Sequence, residues 1–254
     1  MNWVPAVAVV PALHGLRNWC ANTEAAMIAP QSSSYVFKRH ARVWLNWPEA
    51  AGLIHLQDGV QLEAIHQHAA RGLPFVARSR QPGDAPGMVP LGLRMPRTSN
   101  PRSLAFSVPP SAVREATDAM SLAEALLLQT PLPGGWYDTL MHLQTDAAQL
   151  GLTLRIYGSL AWQCATGTHY LADNSDIDLL LAPESLEQAR AGLRLLEAVE
   201  KEGRVRLDGE MIFPDGRAVA WKELLANTRL VMVKNAEGIA LATLESVWKQ
   251  SAWH

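Results

Sequence analysis

Cysteine is nearly absent: Cys20 and Cys164 are the two thiols in 254 residues, with no CxxC spacing and no third or fourth thiol. Neither a disulfide framework nor a zinc–thiolate centre is expected from such usage, and two reduced cysteines fit a cytoplasmic protein. Long apolar runs are also missing, since no stretch reaches the roughly 18 uninterrupted residues that a membrane helix requires. An excess of either charge is lacking too, with 22 Lys and Arg against 24 Asp and Glu, a net charge of -2. That balance supplies no polyelectrolyte attraction, so neither nucleic acid nor a membrane is expected as a partner. No internal repeat or low-complexity tract interrupts the chain. What remains is ordinary globular composition, 48% hydrophobic and 18% charged, sufficient for one domain or two modest ones.

The first 37 residues contain "WVPAVAVVPALHGL", but no Lys or Arg precedes this segment, and Pro5 and Pro11 break it. It does not read as a signal peptide. Residues 1–37 are therefore expected to form a poorly structured extension, with Met27 available as an internal start. From Lys38 to about Pro110, short apolar runs ("ARVWLNW", "PFVARS", "MVPLGLRMP", "RSLAFSVP") alternate with Pro and Gly and predict short strands. "PEAAGLIHLQ" and "LEAIHQHAARG" show helical spacing, with Gly72 ending the second. Residues 38–115 thus read as a small α+β domain.

Residues 116–254 read as an α/β domain with a mixed sheet, so the whole chain is expected to be α+β. Helical periodicity places Trp136, Leu140, Leu143, Ala147 and Leu150 on one buried face. A second helix carries Leu186, Ala189, Leu193, Leu196 and Val199 inward and ends at Gly203. Strands are predicted in "LTLRIY", "DIDLLLA", "RVRLDGEMIF" and "AVAW". "LVMVK" and "IALATL" around "NAEG" predict a hairpin.

The chemistry concentrates in "RIYGSLAWQCATGTHYLADNSDIDLLLAP". Side chains alternate along a strand, so Asp176 and Asp178 share a face while Ile177, Leu179 and Leu181 point into the core. Two neighbouring carboxylates repel unless a cation lies between them, and a hard divalent ion with oxygen ligands, Mg²⁺ above all, resolves the conflict. Gly158 permits a tight turn and Ser159 opens the next helix, whose free N–H groups suit an anion. Together these elements predict phosphoryl or nucleotidyl transfer. A third acid comes from Asp208 or Glu210, on one face of a later strand. Asp208 follows the more regular part of that strand and is preferred, with the reverse assignment left open. Lys222, Lys234, Arg78 and Arg94 are further candidates for phosphate contact, although most such side chains are solvated surface groups. His66 and His68 point apart on a helix, Trp162 reads as core, and His169 as a loop histidine.

A bare DxD is common and weak by itself. The order of elements adds weight: a Gly-Ser turn, seventeen residues from Ser159 to Asp176, a strand, then a third acid. That pattern resembles the nucleotidyltransferase superfamily of DNA polymerase β type. More narrowly, "YGSLAWQCATGTHYLADNSDIDLLL", "VPLGLRMP", "LDGEMIFPDGRAVAWKEL" and "VMVKN" resemble the malonate decarboxylase holo-acyl-carrier-protein synthases, the phosphoribosyl-dephospho-CoA transferases. The resemblance runs from about Lys38 to the end. It implies transfer of 2'-(5''-phosphoribosyl)-3'-dephospho-CoA from 2'-(5''-triphosphoribosyl)-3'-dephospho-CoA to a serine of the apo acyl-carrier subunit of malonate decarboxylase, releasing diphosphate. In that scheme Asp176, Asp178 and Asp208 hold Mg²⁺ and carry catalysis, and Gly158 and Ser159 hold phosphates. The alternatives are adenylylation from ATP, in which only the acceptor pocket differs, and an inactive nucleotide-binding scaffold, which has no need for clustered like charges. Polymerase activity lacks a basic groove.

Overall fold

The computed structural model describes residues 37–56, 62–96, 99, 103–226, 228–251 and 253. The expectation for residues 1–37 lies outside these apart from Phe37, as does Cys20. In the first half, β1 (Arg42–Leu45), β2 (His55–Leu56), α1 (Leu62–Ala70), β3 (Phe75–Ala77), β4 (Val89–Arg94), β5 (Ser103–Val108) and β6 (Val113–Thr117) follow in order. The strands form an antiparallel sheet of order β2-β5-β4-β3-β1-β6. Period-two burial is plain in β4, where Val89, Leu91 and Leu93 are buried and Arg94 is exposed.

One local expectation changes here. "PEAAGLIHLQ" makes only a single 3-10 turn, Glu49–Leu53, before β2. His55 and Leu56 instead pair with Ser107 and Phe106, so cross-strand pairing overrides the helical spacing. Val113–Thr117, which its sequence leaves unassigned, becomes an edge strand against β1.

In the second half the order is α2 (Leu122–Leu127), α3 (Trp136–Gln149), β7 (Leu154–Ile156), α4 (Gly158–Thr166), β8 (Ile177–Leu181), α5 (Leu186–Glu202), β9 (Leu207–Ile212), β10 (Ala218–Ala220), α6 (Trp221–Leu225), β11 (Leu230–Lys234), β12 (Ile239–Thr243) and α7 (Leu244–Gln250). Their sheet has the order β12-β11-β10-β9-β8-β7. It is mixed: β8 and β9 run parallel, with α5 as their crossover, and the other pairs are antiparallel. The α+β class with a mixed second sheet is as expected. No helix among the described residues is long and apolar enough to cross a membrane.

Local chemistry explains the helix ends. Ser185 accepts a hydrogen bond from the Gln188 N–H at 3.2 Å, and the Gln188 side chain accepts one from the Glu184 N–H at 2.8 Å, a reciprocal cap at the start of α5. Ala189, Leu193, Leu196 and Val199 then face the sheet, each buried leucine contributing about 1.5–3 kcal/mol. Trp136, Leu140, Leu143 and Ala147 of α3 are buried as expected. Leu150, just past the end of the helix, is instead 38% exposed.

Two apolar cores result, one per sheet, and α4 serves both. Leu160 packs into the core of the second sheet. Trp162, two residues on, packs with Tyr170 into the core of the first. The helix that opens at Gly158 and Ser159 is thus one wall of the space between the sheets.

Candidate active site

Parallel pairing of β8 with β9 puts Asp178 directly opposite Asp208 and Leu180 opposite Glu210. Asp178 and Asp208 therefore project from adjacent strands on one face of the sheet. Burial raises the Asp178 carboxyl to about 6, helped by the charges of Asp208 and Asp176, while Arg94 and the Ser159 backbone N–H pull it back. No Lys, Arg or His among the described residues comes within ion-pair distance of Asp178 or Asp208. The pair is thus a concentration of negative charge without a neutralising partner.

Gly158 brings the opening of α4 against this pair. At its φ of +63°, a methyl group would lie 1.8 Å from Asp178 Oδ2. Only glycine permits both the left-handed backbone and the approach. The Tyr157 N–H donates to the Asp178 backbone oxygen at 3.0 Å, which fixes the turn to the strand. The Tyr157 side chain does not cap this end of α4, and the Ser159 N–H is directed at the Asp178 carboxylate, so the positive end of the helix meets the acidic pair. Gly158→Ala is expected to displace the Asp178 carboxylate and lower activity at least about a hundredfold. A turnover assay alongside the melting temperature separates displacement from unfolding.

Asp176 differs from its sequence-based placement. It lies just before β8, is 48% exposed, and pairs with Arg206 at 2.8 Å. Among the described residues, no three His, Cys, Asp or Glu side chains converge into a ready ligand cluster. The three carboxylates expected from the sequence are therefore not preassembled: Asp178 and Asp208 are in register, and Asp176 is held by an arginine. The Asp178–Asp208 donor set still fits a hard cation in its chemistry, being oxygen-rich, like-charged and short of counter-charge.

Glu210 has a separate role. It is 3% exposed and takes hydrogen bonds from Arg39 at 2.7 and 3.2 Å and from Lys234 at 2.8 Å. Burial alone would raise its carboxyl, but the nearby His40 ring and the bonds from Arg39 and Lys234 outweigh burial and hold it well below the ordinary range. Lys234 thus sits beside the site as a partner of Glu210. Lys222 does not join this group; it pairs with Glu200 at 2.7 Å. Arg78 is bound to Asp84 at 2.6 Å. Glu210→Ala would leave Arg39 and Lys234 unpaired and is expected to cost about 3–5 kcal/mol in denaturant unfolding, with less lost in Glu210→Gln.

Sequence reasoning missed Arg39, His40 and Tyr157. The His40 ring packs tilted against Tyr157 with ring centres 4.1 Å apart, and the residue adopts a left-handed φ of 67°. Its Nε2 is 3.7 Å from Glu210, and burial keeps the ring below the ordinary histidine range. The basic run Lys38-Arg39-His40, just before a strand, was the available signal. Its partner lies 171 residues away. His68, by contrast, is structural, with Nε2 at 2.9 Å from the Pro74 oxygen.

A cleft of about 460 Å³ adjoins Asp178. His40, Arg42, Pro74, Val76 and Arg94 line it from the first sheet's side, and Tyr157, Gly158, Ser159, Ala161 and Trp162 from the second's. Mainly apolar with a few charged and polar groups, it suits a ligand with an extended organic portion and an anionic end.

Fold and site together define a two-sheet α+β enzyme whose cleft joins a carboxylate pair to an anion-receptive helix end. Family comparison makes this specific. Residues 38–119 match the model of the phosphoribosyl-dephospho-CoA transferase MdcG N-terminal domain, and residues 121–245 that of its C-terminal domain. A phosphoribosyl-dephospho-CoA transferase of Xanthomonas campestris pv. campestris (strain 8004) is 34% identical over 205 residues, 80% of this chain and 92% of that one. One from Bradyrhizobium diazoefficiens is 33% identical over 168 residues, covering 66% and 73%. One from Pseudomonas fluorescens is 31% identical over 176 residues, covering 68% and 80%. No solved structure matches significantly. The chain belongs to the phosphoribosyl-dephospho-CoA transferase family and is a transferase.

Proposed function

We propose that this enzyme transfers 2'-(5''-phosphoribosyl)-3'-dephospho-CoA from its triphosphate precursor to a serine of the apo acyl-carrier subunit of malonate decarboxylase, with release of diphosphate. The observation that carries the reading is the Asp178–Asp208 pair, in register on parallel strands beside the start of α4.

In this scheme Gly158 and Ser159, with the Ser159 hydroxyl, hold phosphate oxygens of the donor. Asp178 and Asp208 hold Mg²⁺, with Asp176 as the further ligand expected from the sequence. The ion supplies charge neutralisation on the triphosphate. The acceptor serine oxygen attacks the α-phosphorus in line; one P–O bond forms as the bond to diphosphate breaks. Asp208 takes the serine proton, because Glu210 is already committed to Arg39 and Lys234. The apolar wall at Pro74, Val76 and Trp162 receives the non-phosphate part of the donor and excludes water around the reacting centre.

The test is the intact mass of apo carrier subunit after incubation with the enzyme, Mg²⁺ and the triphosphate donor, with ATP and EDTA in parallel tubes. A gain equal to phosphoribosyl-dephospho-CoA, abolished by EDTA, is expected. An AMP-sized gain from ATP alone would replace this reading with adenylyl transfer. A full gain in EDTA would remove the metal from the scheme.

A further inference from the structure

Three side chains lining the cleft are basic: His40, Arg42 and Arg94. Burial keeps His40 below the ordinary histidine range. Arg42 is committed to Glu124 at 2.9 Å and to the Asp118 backbone oxygen at 3.1 Å. Among the described residues, Arg94 has neither a hydrogen bond nor an ion pair on its guanidinium. It stands exposed at the end of β4, on the wall opposite α4.

Its backbone is nonetheless fixed. The Tyr170 hydroxyl donates to the Arg94 oxygen at 3.1 Å. Tyr170 is in turn held by Gln163 of α4, whose side-chain oxygen accepts from the Tyr170 and Leu171 N–H groups at 2.9 and 3.0 Å. A relay of hydrogen bonds therefore ties the helix that opens the site to the strand bearing Arg94. The guanidinium lines the same cleft as Asp178 and draws its carboxyl downward without reaching ion-pair distance. A planar, permanently charged fork left without a carboxylate partner matches phosphate geometry.

We propose that Arg94 is a substrate-binding residue: it grips phosphate oxygens of the donor from the first sheet, facing the start of α4, so that the phosphate chain is held from both walls. This rests on the donor reading above and assigns the first sheet a direct part in binding.

Inorganic triphosphate is the probe. Its binding is measured by calorimetry to the full chain, to Arg94→Ala, to Arg94→Lys and to Arg190→Ala, which removes an exposed charge on α5. Loss of a charge-assisted bidentate contact is expected to weaken binding by about ten- to hundredfold in Arg94→Ala. Arg94→Lys should restore part of it and Arg190→Ala should match the parent. KM for the donor should rise in Arg94→Ala far more than kcat falls, with an unchanged melting temperature because the guanidinium supports no contact. Equal triphosphate binding by the parent and Arg94→Ala, or equal weakening in Arg190→Ala, overturns the assignment and leaves the donor reading to the mass assay. A parent chain that binds neither triphosphate nor the donor overturns both.

Discussion

Asp178→Asn is expected to lower transfer at least about a thousandfold and, at the same time, to raise the melting temperature. The two effects have one cause. A carboxyl lifted to about 6 in the folded chain binds its proton more tightly there than in the unfolded chain, where its value is near 3.8. Folding therefore loses stability as pH rises from the unfolded value through the folded one, and the penalty is complete above about 6. At about 1.4 kcal/mol per unit, the gap corresponds to about 3 kcal/mol at pH 8. Asparagine does not ionise, so the variant should escape that penalty at pH 8, keep about half the advantage at pH 5, and lose most of it by pH 4. Denaturant unfolding of the metal-free chain across this range is the measurement. A variant that is inactive but less stable than the parent at pH 8 would contradict the view that unneutralised charge defines this site. Divalent cation should stabilise the parent and have much less effect on Asp178→Asn.

Gly209→Ala is expected to be the most damaging single methyl addition near the site. Gly209 separates Asp208 from Glu210 and sits at φ +134°, a region closed to residues with a β-carbon. A methyl there would lie 1.9 Å from the Leu179 oxygen and 2.6 Å from the Leu179 nitrogen, atoms of the neighbouring backbone that no rotamer change can move. Relief requires parting β8 from β9, the pair that places Asp178 opposite Asp208. Loss of more than about 4–5 kcal/mol, or recovery only as aggregate, is the expected result. Gly216→Ala is the control: its φ is +82°, but no atom lies within 4 Å of the added methyl. That variant should cost only about 1–2 kcal/mol of backbone strain. Similar losses in both would show that conformation, not the close strand approach, governs Gly209.

Much of the second sheet was legible because its signals are local. The apolar spacing of Ala189, Leu193, Leu196 and Val199 set the inward face of α5, and the turn "NAEG" set the β11–β12 hairpin. The Gly-Ser turn and the acid on β8 could be read as neighbours because a strand–turn–helix segment returns to the same sheet end. Less was legible in the first half, where β2 and β6 are short or edge strands whose pairing partners are distant in sequence. "PEAAGLIHLQ" misled for that reason: periodicity over ten residues carried no information about Ser107 and Phe106.

By itself, the sequence determined which residue types had to be reconciled: alternating apolar and acidic positions on β8, a glycine where the chain turns into α4, and an acid on the strand after α5. Period-two and period-3.6 patterns sufficed for this, since they follow from backbone geometry alone. Only the tertiary structure decided how the charges were shared. It set Arg206 on Asp176, Arg39 and Lys234 on Glu210, and put Asp178 and Asp208 in register with no ion-pair partner among the described residues. Those pairings depend on distances between side chains separated by as many as 171 positions, and Coulombic and desolvation energies depend on such distances and on burial, not on order along the chain.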